Sequence, residues 1–270
     1  MSLIISLRIP DGIVVAADSL SISQTLVELA AQNVELICPK CQEKITGKEL
    51  KLPPFGVPFS ASSYTQKLFP LFEKFALGAV GLGIINGKSI NYHVSSLLEK
   101  EKGATSLEEA KEKLIKYFEN QLIIQYPKYK NEAPDNWLPL CFHLNGFVLE
   151  SGEYVCVTSE IFIGKENVIR DQKSIGCTFG GEGEVVKQLW EIGKKDPKKQ
   201  FKFELLTLQD AIDLSEFYIS ATSTFQRFAN DIKTVGGNID IALLTPFHNF
   251  RWIKRKRLME ILEEPHEWRS

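Results

Sequence analysis

The chain has 270 residues, with 32 Lys and Arg against 34 Asp and Glu and a formal net charge of -2, a balance that excludes a generic polyanion binder. Apolar residues make up 44% and charged residues 24%, with only 18 Gly and 12 Pro, which excludes a low-complexity or disordered chain. Such a length allows one large domain or two small ones, and the five cysteines are odd in number and too sparse for a disulfide framework, so a reducing cytoplasm is the expected setting.

The N-terminus alternates like a strand from Leu3 to Arg8, turns at Pro10-Asp11-Gly12 and continues through Ile13 to Ala17. This predicts a hairpin that begins at the second residue. Arg8, Pro10 and Asp11 break the apolar run and no basic segment precedes it, so a signal peptide is not expected. No stretch reaches the roughly eighteen apolar residues of a membrane span. Termini normally fray, so a core strand at the very end implies that the end is held for a reason.

Residues 19 to 62 fit regular elements poorly. An apolar stretch over Leu26 to Ile37 runs into Cys38-Pro-Lys-Cys41 and then into a loop-like KLPPFGVPFSASS, so about 22–62 is read as an insertion in a single 1–270 domain. Lys67 to Leu71 and Lys74 to Val80 read as a second pair of strands ending at Gly81 and Gly83. Helices are expected over Ser89 to Lys100 and from Ser106, where Ser106-x-x-Glu109 is a capping box ahead of Leu107, Ala110, Leu114, Ile115 and Phe118. Strands return over Leu140 to Leu149, Tyr154 to Ser159 and a shorter run near Ile161. Past Gly176 to Gly183, where Gly180-Gly181-Glu182-Gly183 reads as a turn capping the next helix, come a helix over Glu184 to Ile192 and a polar linker over Gly193 to Gln200. Leu208 to Phe228 is apolar at helical spacing with Thr207-x-x-Asp210 as its cap, and Ile239 to Leu244 closes the series as a strand. The order predicts a layered domain of α and β elements, with mainly antiparallel sheets and helices outside.

Three motifs have ordinary readings. Gly81 to Ser89 ends Gly-Lys-Ser, but a phosphate loop needs glycine at the position held by Leu82, so a tight strand-to-helix turn is expected. Cys38 and Cys41 could supply half of a tetrahedral structural zinc site. No second pair of that spacing exists and the four histidines are not ligand-spaced, so a neighbouring subunit would have to complete it, the alternative being a metal-free turn. Arg251-Trp252-Ile253-Lys254-Arg255-Lys256-Arg257 is followed by four glutamates and reads as a solvated helix face, with no nucleic-acid role.

Ser2 carries more chemistry. Aminopeptidases remove Met1 readily before a small residue, leaving a hydroxyl beside a free α-amine. That amine has a pKa of about 7.7–8.0 and near neutral pH can serve as general base for its own hydroxyl.

The opening Ser2-Leu-Ile-Ile-Ser-Leu-Arg-Ile-Pro-Asp-Gly-Ile-Val-Val-Ala-Ala-Asp18 resembles, without a gap, the first hairpin of proteasome β-type subunits, including the bacterial ring peptidase that works with an ATPase. The resemblance continues at Thr65-Gln-Lys67-Leu-Phe and Gly78-Ala-Val-Gly81, then at Asp231-Ile-Lys-Thr234-Val-Gly-Gly237 with the strand after it. It implies a four-layer αββα sandwich of the N-terminal nucleophile hydrolase type, with two mainly antiparallel sheets between helix layers.

For the site it implies Ser2 as nucleophile, Asp18 and Lys67 as the ion pair that tunes its amine, Gly81 as oxyanion donor, and Asp231 and Thr234 as supporting residues. Serine replaces the family's usual threonine, the insertion lengthens the Asp18 to Lys67 spacing, and one extra residue separates Asp231 from Gly236. A further serine of the family falls either at Gly176-Cys177 or at Gly181-Glu182. The implied function is a proteasome-like peptidase that needs no cofactor, forms homo-oligomers, acts on peptide or protein substrates with an ATPase partner and binds neither nucleic acid nor membrane. An inactive scaffold subunit of a ring or filament is the alternative.

Overall fold

The structure is a computed structural model that describes residues 2–27, 30–37, 41, 44–51, 55–229 and 232–256. It is a mixed α and β protein whose two five-stranded sheets are antiparallel. The chain divides into two compact units, Ile22–Ser62 and the remainder.

The larger unit holds two five-stranded sheets. In the first, β1 (Leu3–Ile9) and β2 (Gly12–Ala17) form the N-terminal hairpin. The second unit carries β3 (Ser21–Val27), β4 (Ala30–Ile37), β5 (Lys44–Lys51) and β6 (Phe55–Ser62), with β3 beside β6 and β4 antiparallel to β5. The expectation that this segment lacks regular elements is corrected: it is largely strand.

The second large sheet starts with β7 (Leu68–Leu71) and β8 (Phe75–Gly81). A two-strand hairpin, β9 (Ile84–Ile85) and β10 (Lys88–Ser89), follows. Asn86 and Gly87 both have positive φ in its two-residue turn, the geometry such turns demand. Helices α1 (Ile90–Lys100) and α2 (Leu107–Gln125) come next, then the short α3 (Tyr129–Glu132). The Ser106 hydroxyl accepts from the Glu109 N–H as a cap should, but the Glu109 carboxylate returns to Thr105 instead of Ser106.

Strands β11 (Leu140–Glu150) and β12 (Glu153–Ile163) pair along their whole length, so the run near Ile161 continues the preceding strand. β13 (Val168–Gln172) forms the sheet edge. β14 (Gly176–Gly181) is a strand because β1 supplies a backbone partner from Leu3↔Gly181 to Arg8↔Gly176, and the chain then bends at Glu182 so that Gly183 caps the next helix, as the glycine cluster leads one to expect.

Helices α4 (Glu184–Lys195) and α5 (Leu208–Phe228) follow; the Thr207–Asp210 capping box is made in both directions. β15 (Asp240–Thr245) pairs with β2, and β16 (His248–Lys254) with β15. Arg251 to Lys254 thus belong to an edge strand, not a helix face. The sheet orders are β14-β1-β2-β15-β16 and β13-β12-β11-β8-β7.

Strand alternation explains the layering. Leu3, Ile5, Leu7 and Ile9 of β1 pack with Ala211, Tyr218 and Ile219 of α5 and Val186 of α4. Ile4 from the same strand faces the other way and joins Val15 and Ala17 against Leu68 and Ala76 of the second sheet. The far face of that sheet, through Leu77, Phe142, Leu144 and Ile161, packs on Val94 and Leu97 of α1 and Leu114 and Phe118 of α2. β1 is therefore buried on both faces.

Candidate active site

The hairpin β1–β2 brings Ser2 and Asp18 to one end of the first sheet, since Ile4 pairs with Ala17. Both are buried. Asp18 is the hub. Its Oδ1 accepts from the Leu3 N–H at 3.0 Å and from Lys67 Nζ at 2.8 Å, and its Oδ2 accepts from the N–H groups of Leu20 at 3.1 Å and Gly236 at 3.0 Å. Four donors thus satisfy the oxygens of a fully buried carboxylate.

Lys67 stands just ahead of β7 in the second sheet and is almost fully buried. Its ammonium also donates to the Leu20 carbonyl. Burial pulls the Lys67 pKa below the ordinary lysine value, Asp18 opposes that, and the Lys256 ammonium adds to the lowering. Lys256 forms its own sealed pair with Asp240, and its N–H donates to Asp240 Oδ1 at 2.8 Å. Asp240 stands opposite Ala17 on the neighbouring strand, next to Asp18.

Ser2 is fastened from the other side. The Glu182 N–H donates to the Ser2 carbonyl at 2.8 Å. Gly181 has φ +87, and a Cβ there would lie 1.8 Å from the Ser2 carbonyl oxygen. Between Gly176-Cys177 and Gly181-Glu182, the latter is the pair that meets Ser2.

Gly81 ends β8 with φ +104, and a Cβ at that position would come within 2.1 Å of the Pro139 carbonyl oxygen. Only glycine fits this backbone. Thr234 is buried but turns to α5: its hydroxyl accepts from Gln226 Nε2 at 3.0 Å, and its N–H donates to Gln226 Oε1. The contact from this segment to Asp18 comes from the Gly236 N–H. Gly236 also accepts, through its carbonyl, from the N–H groups of Ser19 and Leu20. Asp231 and Cys38 lie outside the described residues; Cys41 is exposed in a turn. Among the described residues no group of three or more metal-ligating side chains occurs.

Sequence reasoning missed Gly236 and the Asp240–Lys256 pair, and left Gly181-Glu182 as one of two alternatives. The Gly236-Gly237 doublet was a signal for the first, since Gly237 has φ +74 and lies tightly against the Ser63 carbonyl. Chemically, the residues offer a buried hydroxyl at Ser2, a buried lysine paired with a carboxylate, and a glycine corner. No protein-family model matches the chain, and no curated protein matches it.

Proposed function

We propose that this chain is a peptidase or amidase of the N-terminal nucleophile type, with the four-layer fold of proteasome β-type subunits and Ser2 as nucleophile once Met1 is removed. The observation that carries the reading is one oxygen: Asp18 Oδ1 is bonded both by the buried Lys67 ammonium and by the Leu3 N–H, tying a cation to the peptide beside Ser2.

In this reading the freed α-amine of Ser2 takes the proton of its own hydroxyl as the oxygen forms a bond to the substrate carbonyl carbon. The Lys67 cation disfavours protonation of that amine and keeps it a competent base. The Gly81 N–H donates to the oxyanion of the tetrahedral intermediate. The α-ammonium then returns its proton to the departing amine, and water hydrolyses the acyl ester to restore Ser2. The reaction so written needs no cofactor.

Assembly into a homo-oligomer goes with the reading, and α5 leaves Phe217, Phe225 and Phe228 exposed as an apolar outer face. A peptide or protein substrate, an ATPase partner and a cytoplasmic location belong to the same reading. A structural zinc on Cys38 and Cys41 would require thiolates from a second subunit.

The test is intact-mass analysis of the untagged protein before and after an epoxyketone inhibitor. An adduct mapped to Ser2 supports the hydrolase. Retained Met1 and no adduct would leave an inactive scaffold subunit.

A further inference from the structure

Glu182 stands where the proposed nucleophile's amine must lie. The antiparallel register of β1 and β14 reaches Leu3↔Gly181, and the next rung is the 2.8 Å bond from the Glu182 N–H to the Ser2 carbonyl. In a hydrogen-bonded antiparallel rung each residue's N–H faces the carbonyl of its opposite number, so the Ser2 nitrogen lies on the Glu182 side. Opposed residues of such a rung have Cβ atoms about 4.5–5.5 Å apart, within reach of a glutamate side chain.

Glu182 is half-buried, and among the described residues its carboxylate has neither a hydrogen-bond partner nor an ion pair. The other carboxylates at this end are occupied: Asp18 by Lys67 and three N–H groups, Asp240 by Lys256. A partly desolvated, unpaired carboxylate beside a nitrogen that becomes cationic on loss of Met1 has an obvious complement.

We propose that Glu182 is the anionic partner of the mature Ser2 α-amine, a positioning residue that holds this amine in place and raises its proton affinity against the pull of Lys67. The charged groups facing the amine from other elements are Asp18 at the end of β2 and Lys67 ahead of β7, with the Asp240–Lys256 pair beyond them. An opposite charge at this range raises proton affinity by about tenfold or more. The catalytic consequence rests on the hydrolase reading above: the free-base amine, and with it the attack step, emerges at higher pH than Lys67 alone would set.

The experiment uses full-length protein made behind a fusion whose cleavage leaves Ser2 as the first residue, verified by periodate oxidation of the N-terminal serine. The amine is titrated by the pH dependence of its acylation by a limiting amine reagent, read by peptide mass, in parent, Glu182→Gln and Glu182→Asp, with thermal melts as the folding control. Glu182→Gln should lower the midpoint by about one pH unit, a tenfold change, while Glu182→Asp retains most of the parent value. The acid limb of any amidase activity should move with it. An unchanged midpoint in Glu182→Gln overturns the assignment, even if amidase activity is present. A shifted midpoint without amidase activity in any variant upholds it and removes the hydrolase reading instead.

Discussion

Lys67 Nζ and Asp18 Oδ1 lie 2.8 Å apart with both side chains closed to solvent, and the two residues arrive from opposite sheets. The pair therefore fixes how the sheets meet at the Ser2 end as well as the charge there. Breaking a buried pair by removing one partner leaves an uncompensated charge, whereas removing both does not.

Asp18→Asn should consequently lose about 3–5 kcal/mol of stability in urea denaturation, and Asp18→Asn combined with Lys67→Met should recover part of it. Amidase activity should be absent from both. Recovery of activity in the double variant would show that the pair is only structural.

Ser2→Ala should abolish amide hydrolysis without unfolding the protein, because it deletes the attacking oxygen and leaves the carbonyl that Glu182 holds. Ser2→Thr should retain turnover. Loss of a nucleophile costs several orders of magnitude in rate, so a progress curve with a peptide panel suffices. A Ser2→Ala protein as fast as the parent would end the hydrolase reading.

Gly181→Ala should inactivate the protein with every proposed catalytic side chain intact. The added methyl would lie 1.8 Å from the Ser2 carbonyl oxygen on a backbone of φ +87, so Ser2 must move. Displacement of a reacting group by about 1 Å can lower the rate about a hundredfold. Acylation by the epoxyketone at parental rate in a folded Gly181→Ala protein would contradict this.

His143 should make the protein acid-sensitive. It is fully enclosed between the sheets, its Nδ1 is 3.5 Å from the Ser6 hydroxyl, and its Nε2, with no hydrogen-bond partner among the described residues, is 3.9 Å from Glu160. Burial, with a smaller contribution from Arg8, pulls its pKa down to about 4. The unfolded chain, with an ordinary value of about 6.5, binds the proton first. Stability from this group is thus complete above about pH 6.5 and falls as pH drops toward 4, by about 3 kcal/mol in all. Denaturation at pH 7 and pH 4.5 should show a smaller loss for His143→Gln than for the parent, and equal losses would refute the assignment.

The sequence alone determined the elements whose signals are local. The β1–β2 hairpin follows from alternation and a Pro-Asp-Gly turn, and α5 from helical spacing behind Thr207 and Asp210. Ser2 was legible as a candidate from a hydroxyl beside a removable Met1, whereas Asp18 and Lys67 were marked only by the resemblance of their short segments to proteasome β-type subunits. Tertiary structure decided the rest. β14 is rich in glycine and has weak strand propensity; it is a strand because β1 offers it hydrogen bonds. It is glycine-rich because His143 and the Ser2 carbonyl come too close for side chains, with a Cβ at Gly180 falling 2.6 Å from His143 Nε2. β16 is a strand for a similar reason, its backbone being claimed by β15 against a basic pattern that reads as a helix face. The joining of Asp18 to Lys67 and Gly236, of Asp240 to Lys256 and of Ser2 to Glu182 spans up to 218 residues of chain, a distance over which no local pattern carries information and only the packing of two sheets does.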